Sequence, residues 1–180
     1  TRPSIRLARV PAGAPGLEFI PMPEAGFTPE VPHARIRLDR VPVPAGALLA
    51  GDAYELFVKP FRTIEDVLVT AGKLAYLLAE GGRRDWPRAW RERALAALLA
   101  LLALAGSDRQ APAMHIALAG AMATWSALMA EATVFFEQGP QDEAARRWAR
   151  DRRLFDIPFK VRAMRTERAW ERVARAPGPR

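Results

Sequence analysis

Nine of the 16 prolines in this 180-residue chain fall within its first 50 positions. Proline fixes its own φ and has no N–H to donate, so this opening cannot hold a helix of any length or a central strand. What remains between the prolines is three short runs, "SIRLARV", "LEFI" and "ARIRLDRV". The last alternates with a period of two: Ala34, Ile36 and Leu38 point one way, and Arg35, Arg37 and Asp39 the other. "PAGAPG" reads as the turn between the first two runs. Three such strands cannot close a barrel, and they need helices or further strands to cover them.

After "VPVPAGALLAGD" the period becomes helical. Ile64, Val67, Leu68, Ala71, Leu74, Ala75 and Leu78 recur at threes and fours as one stripe, with Gly81-Gly82 as the stop. A second helix is expected from Trp86 to Ala105, with Pro87 tolerated in its first turn. A third spans Pro112 to Gln138 and ends at Gly139-Pro140. A fourth starts near Gln141 and continues to Ala174, kinked or broken at Pro158. Short connections between four helices argue for an antiparallel arrangement. The expected fold is therefore mainly α: an up-and-down four-helix bundle over 51–176, preceded by a short antiparallel β segment over 1–50. Residues 177–180 are expected to be a disordered tail.

The segment 111–130 carries no formal charge, but it contains Pro112, His115, Gly120, Thr124 and Ser126 and is rich in alanine. A central bundle helix fits it better than a membrane span, and no membrane partner is expected. Its small residues Ala117, Gly120, Ala123, Ala127 and Ala130 would let neighbouring helices approach closely.

The chain has no cysteine, which excludes disulfides, thiolate zinc sites and cysteine nucleophiles and suits a cytoplasmic location. His33 and His115 are its two histidines, and neither has a second ligand at metal spacing, so no metal site is expected. No serine has the local signature of a catalytic triad, and no GxxxxGK[ST] or GxGxxG occurs. The formal net charge is +7, carried almost wholly by arginine. That balance fits either a coding bias or an anionic partner such as nucleic acid or a nucleotide cofactor. From Gln141 to Arg175 there are 11 basic and 6 acidic residues. Arg146, Arg147, Arg150, Arg153 and Arg168 would line a phosphate-binding stripe. The pairs Asp142–Arg146, Glu143–Arg147 and Arg147–Asp151, all at i,i+4, describe a solvated face instead. Interleaved acids repel the phosphates that the arginines would attract, which weighs against nucleic acid.

The junction "YELFVKPFRTIED" joins the two regimes. Thr63-Ile-Glu-Asp66 has the capping-box form just before an apolar run. Thr63 would then cap the first helix, with Glu65 and Asp66 in its first turn, where the helix dipole favours negative charge.

The order of these parts resembles the acyl-CoA dehydrogenase family. "ARIRLDRVPVPAGALL" is similar to the end of that family's middle β-domain, where a strand leads into the C-terminal helical bundle. "IEDVLVTAGKLAYLL" looks like the first bundle helix, and "WARDRRLFDIPFKVRAMRTERAW" is similar to the last. The resemblance implies a flavin enzyme oxidising an acyl-CoA thioester at its α and β carbons, a carboxylate taking the α-proton and FAD the β-hydride. Glu65 falls where some members carry that base on the first bundle helix, which makes it the candidate catalytic residue. Such a base works from a dry pocket that raises its pKa toward neutrality. Arg83-x-x-Trp86 stands near the family's Arg-x-x-Phe cofactor contact, but the flavin segment Q-x-x-G-G-x-G has no counterpart in "EATVFFEQGPQDEAARRW", and the cofactor-binding residues stay unassigned. The family's N-terminal helical domain and most of its middle β-domain are not in this sequence. The resemblance thus implies a homo-oligomer or a partner chain that supplies them. The alternative is a non-catalytic helical module for protein or nucleic-acid binding.

Overall fold

The structure, a computed structural model, describes residues 5–23, 26–156 and 160–175. Their order is β1 (Leu17–Pro21), β2 (Ala34–Leu38), α1 (Lys59–Arg83), α2 (Arg88–Ala105), α3 (Pro112–Gln138), α4 (Glu143–Asp151) and α5 (Lys160–Arg175). The expected tail at 177–180 and Pro158 lie outside the described residues.

β1 and β2 form a two-stranded antiparallel ribbon, Leu17 opposite Leu38 and Phe19 opposite Ile36. The alternation in "ARIRL" sets which side chains share a face, but no residue of β2 is buried on either face. Gly16 closes the base of the ribbon at φ 82°, and a Cβ there would stand 2.1 Å from the Asp39 carbonyl oxygen, an approach that only glycine permits. At the other end the β1–β2 connection is fastened to α4. The Thr28 N–H donates to Asp151 Oδ1 at 2.9 Å, and Arg150 Nη2 donates to both carboxylate oxygens of Glu30 at 3.0 Å.

The first run, "SIRLARV", does not become a third strand. Its described residues lie antiparallel to the segment that enters the helices, through a single bridge, Ala8 to Leu48. The Leu49 N–H donates to the Leu7 carbonyl at 2.8 Å, and Ala53 N–H to the Ile5 carbonyl at 3.0 Å. The bends at Pro11–Ala14 and Ala14–Leu17 carry the chain round as expected, but the partner is the linker and not β1.

Thr63 is not a cap. Helical structure begins ten residues earlier, and Asp52 is its capping side chain: Oδ1 accepts from the N–H groups of Tyr54 and Glu55 at 2.9 and 3.0 Å. Residues Tyr54–Val58 form a wide π-type turn that runs straight into α1. Its position has a cause. The ring of Pro60 would collide with the carbonyl of residue 56 in a regular helix and donates nothing to it, and a widened turn relieves both problems. Thr63 is therefore interior and buried, its hydroxyl donating to the Lys59 carbonyl at 3.2 Å.

α1 passes through Gly81-Gly82 and stops at Arg83, and Asp85 at φ 50° makes the turn. Gly81 is flat so that the Trp86 ring can lie on it: a Cβ would sit 3.1 Å from that ring. The buried face of α1 is Val67, Ala71, Leu74 and Leu77, while Leu68 and Ala75 face outward. α2 runs back along α1. α3 runs back along α2, with Trp90 Nε1 donating to the Leu128 carbonyl at 3.1 Å and Arg93 paired to Glu131. α3 keeps the bounds read from the sequence but not the expected face. Met114, Leu118, Met122, Trp125, Leu128 and Phe136 are buried, whereas Ala117, Gly120, Ala123, Ala127 and Ala130 are exposed. Large side chains win the interior because each removes more apolar area from water. By length and composition α3 is apolar enough to cross a membrane; here it packs between α2 and α5.

The expected fourth helix is two, α4 and α5, with a 3-10 turn at Arg152–Asp156 following α4. The described residues are thus mainly helical, with five α-helices and a two-stranded antiparallel sheet. Around α4 an aromatic cluster closes one end of the core: Trp86 lies edge-on to Trp90 and Phe136, and Phe136 stacks on Trp148 at 5.1 Å.

Candidate functional site

Glu65 and Asp66 are neighbours in sequence, and the fold separates their surroundings. Glu65 is exposed on α1, and among the described residues it makes no hydrogen bond or ion pair. The outward side of α1 around it carries Phe61, Leu68, Val69 and Tyr76, all exposed. At spacings of four, three, one and seven these fall close to one line along the helix. Glu65 is thus a lone carboxylate in an apolar stripe open to solvent.

Asp66 is half-buried and turned toward α5. It accepts from Arg162 Nε at 2.9 Å and Arg162 Nη2 at 2.6 Å through Oδ1, and from Arg165 Nη2 at 2.5 Å through Oδ2. Arg165 Nη1 also donates to the Thr63 hydroxyl at 3.0 Å. One carboxylate therefore holds two guanidinium groups across the α1–α5 seam, where charge-assisted bonds are strong and directional. Lys73 adds a third cation to the seam. Its ammonium sits 4.4 Å from the centre of the Phe155 ring, and burial, then the repulsion of Arg162, pushes its pKa down against the pull of Asp66. No local pattern marks this cluster, because 96 residues separate Asp66 from Arg162.

Between α3 and α5 lies an open groove of about 390 Å³. Leu118, Ala119, Met122 and Ala123 form its apolar wall, Ser126 and Thr166 border it, and Arg162, Arg165 and His115 supply its polar groups. Nδ1 of His115 is buried without a hydrogen-bond partner. Burial, then the nearby charges of Arg165 and Arg172, keeps this imidazole's pKa below its ordinary value, so it is neutral at pH 7.

At the opposite end, buried Glu80 binds Arg83 and Arg84, the latter at 3.3 Å through Nε. Arg84 reaches on to Asp142, which also caps α4 by accepting from the Ala145 N–H at 3.0 Å. The Ala145 N–H and then Arg84 hold the Asp142 carboxyl below its usual range. Asp142 is thereby taken away from Arg146, which donates instead to the Gln141 carbonyl. Of the three i,i+4 pairs expected on this helix, Glu143–Arg147 forms, and Asp151 takes Arg150 in place of Arg147. Trp86 of the Arg83-x-x-Trp86 motif is a core residue and presents no face to a cofactor.

His33 lies against Phe27 in the β1–β2 connection, far in sequence and element from His115 on α3. Among the described residues no three His, Cys, Asp or Glu side chains gather in a way that would hold a metal ion. No family model, curated protein or solved structure matches the chain.

Proposed function

We propose that this chain is the C-terminal half of an acyl-CoA dehydrogenase-like flavoprotein, with α1, α2, α3 and α5 as the rods of an up-and-down four-helix bundle and Glu65 as the base. The observation that carries the reading is the unfinished surface leading to Glu65. The ribbon leaves its apolar face open, with the cross-strand partners Phe19 and Ile36 51% and 55% exposed, and the apolar stripe of α1 that holds Glu65 is open too. Apolar area on this scale marks a surface made to be covered. Covering the stripe would take Glu65 out of water, and desolvation raises a carboxyl's pKa toward the value a base needs. The exposed Leu95, Leu99 and Leu102 on α2 form a second such face, suited to a further copy or a partner chain.

The described residues do not by themselves make a flavin cradle. The carboxylate is exposed, Trp86 is sealed in the core, and the arginines at the α1–α2 corner are bound to Glu80 and Asp142. FAD therefore belongs to the assembled protein, held by the domains that complete the ribbon. Within that assembly Glu65 removes the α-proton of an acyl-CoA thioester. Nucleic-acid binding has less support, because Arg147, Arg150 and Arg152 are each tied to a carboxylate. The same open faces would also serve a non-catalytic docking module, and one experiment divides the two. The chain is produced with the protein segment encoded upstream or with its neighbouring gene product, and the complex is examined for flavin absorbance and acyl-CoA-dependent dye reduction. Bound flavin, with turnover lost in Glu65→Gln while the flavin stays, is the expected result. A colourless complex, or full turnover in Glu65→Gln, overturns the assignment.

A further inference from the structure

We propose that Lys73 is an imine-forming lysine, whose amine condenses with an aromatic aldehyde beside the Phe155 ring. Eight positions along α1 turn Lys73 about 80° away from Glu65, and the inference does not rest on the dehydrogenase reading.

Three observations converge. The first is the choice of residue. Lysine is 3 of the chain's 27 basic residues, yet it is a lysine that stands at this half-buried position on α1. A guanidinium keeps its charge, whereas a lysine amine gives up its proton when burial opposes the charge. The second is the surroundings of Nζ. Lys59 Nζ donates to both carboxylate oxygens of Glu55. Among the described residues Lys73 Nζ has no hydrogen bond or ion pair, because Asp66 is taken by Arg162 and Arg165. What it meets is the Phe155 ring, 4.4 Å away at the centroid and itself packed on Trp125 and Trp148. Burial, the largest influence on it, holds this amine's pKa below the ordinary lysine value. The third is access. Among the described residues His115 Nδ1 is the one buried side-chain nitrogen or oxygen without a hydrogen-bond partner. Lys73 Nζ also lacks one, so it is open to solvent and a small molecule can reach it. A desolvated amine at an apolar wall is how proteins activate lysine as a nucleophile toward carbonyl carbon. The nitrogen adds to the aldehyde carbon, and the aldehyde oxygen leaves as water with the two amine hydrogens, giving a C=N bond. The conjugated ring then lies against Phe155, a contact that an alkyl aldehyde does not make. The protonated imine keeps a cation at the Phe155 face, as the ammonium does now.

The test treats the purified chain with benzaldehyde and sodium cyanoborohydride, which reduces each imine to a stable amine, and reads the labelled lysines by peptide mass spectrometry. At pH 7 native Lys73 is expected to label several-fold faster than Lys59, and the two should label at nearly equal rates once the chain is unfolded in urea. The native labelling of Lys73 should reach half its maximum at a lower pH than that of Lys59. Acetaldehyde should favour Lys73 less than benzaldehyde does. Phe155→Leu keeps an apolar side chain at a half-buried position and should remove that difference between the aldehydes. Lys73 labelled no faster than Lys59, a preference that survives urea, a common pH midpoint, or an equal preference with both aldehydes would each overturn the proposal. None of these readouts depends on flavin or turnover, so this site and the dehydrogenase assignment stand or fall separately.

Discussion

Replacing each of the two adjacent acids by alanine measures the seam between α1 and α5. Asp66 accepts three hydrogen bonds from two guanidinium groups, and its side chain is 12% exposed. Removing one partner of a fully buried pair costs about 3–5 kcal/mol, and an exposed pair is worth about 0.2–1 kcal/mol. Arg162 and Arg165 stand between these limits at 32% and 23% exposed, so water recovers part of what they lose. Asp66→Ala should therefore cost about 2 kcal/mol, which lowers the melting temperature of a domain this size by about 4–8 °C. Glu65→Ala removes an exposed carboxylate without a partner and should stay within about 0.5 kcal/mol. Urea denaturation at pH 7 gives both values, and a double-mutant cycle with Arg165→Met isolates the Asp66–Arg165 coupling. Equal costs for the two acids, or no coupling between Asp66 and Arg165, would refute the account of the seam.

Trp90→Ala should cost about 3–5 kcal/mol, the usual range for deleting a buried aromatic, because Trp90 is 1% exposed, packs edge-on to Trp86 and donates to the Leu128 carbonyl; a loss of unfolding free energy below about 1 kcal/mol in urea denaturation would contradict its place in the core. Acid should destabilise the chain through two anchored carboxylates. Asp142 is held low by the Ala145 N–H and Arg84, and Asp151 by Arg150 and the Thr28 N–H. A carboxyl whose folded pKa lies below its unfolded value contributes stability above the unfolded pKa, about 3.9 for Asp, and loses it as pH falls through the folded value. Denaturation midpoints should therefore drop from pH 5 to pH 2, with a shallower drop in Asp142→Asn, and a flat profile would count against both contacts.

The residue string by itself determined the change of regime near residue 50 and the existence and extent of α3, since proline chemistry and a 27-residue apolar segment need no tertiary information. It also marked the strand runs, but not which of them pair: β1 pairs with β2, and the first run lies against the linker through Ala8 and Leu48. It did not determine where α1 begins. Asp52 and Thr63 both make acceptable caps, and the choice fell to the earlier one once a π-type turn absorbed Pro60. Nor did it decide which face of α3 is inside, because a helix apolar on nearly every side has no sequence-marked interior. Packing against α2 and α5 chose the bulky face and left Ala117, Ala123, Ala127 and Ala130 outside. The partition of Glu65 from Asp66, the two arginines gathered on one carboxylate and the groove behind them are wholly tertiary. Each depends on α5 lying along α3 within reach of α1, and local rules of propensity and spacing carry no information across 96 residues.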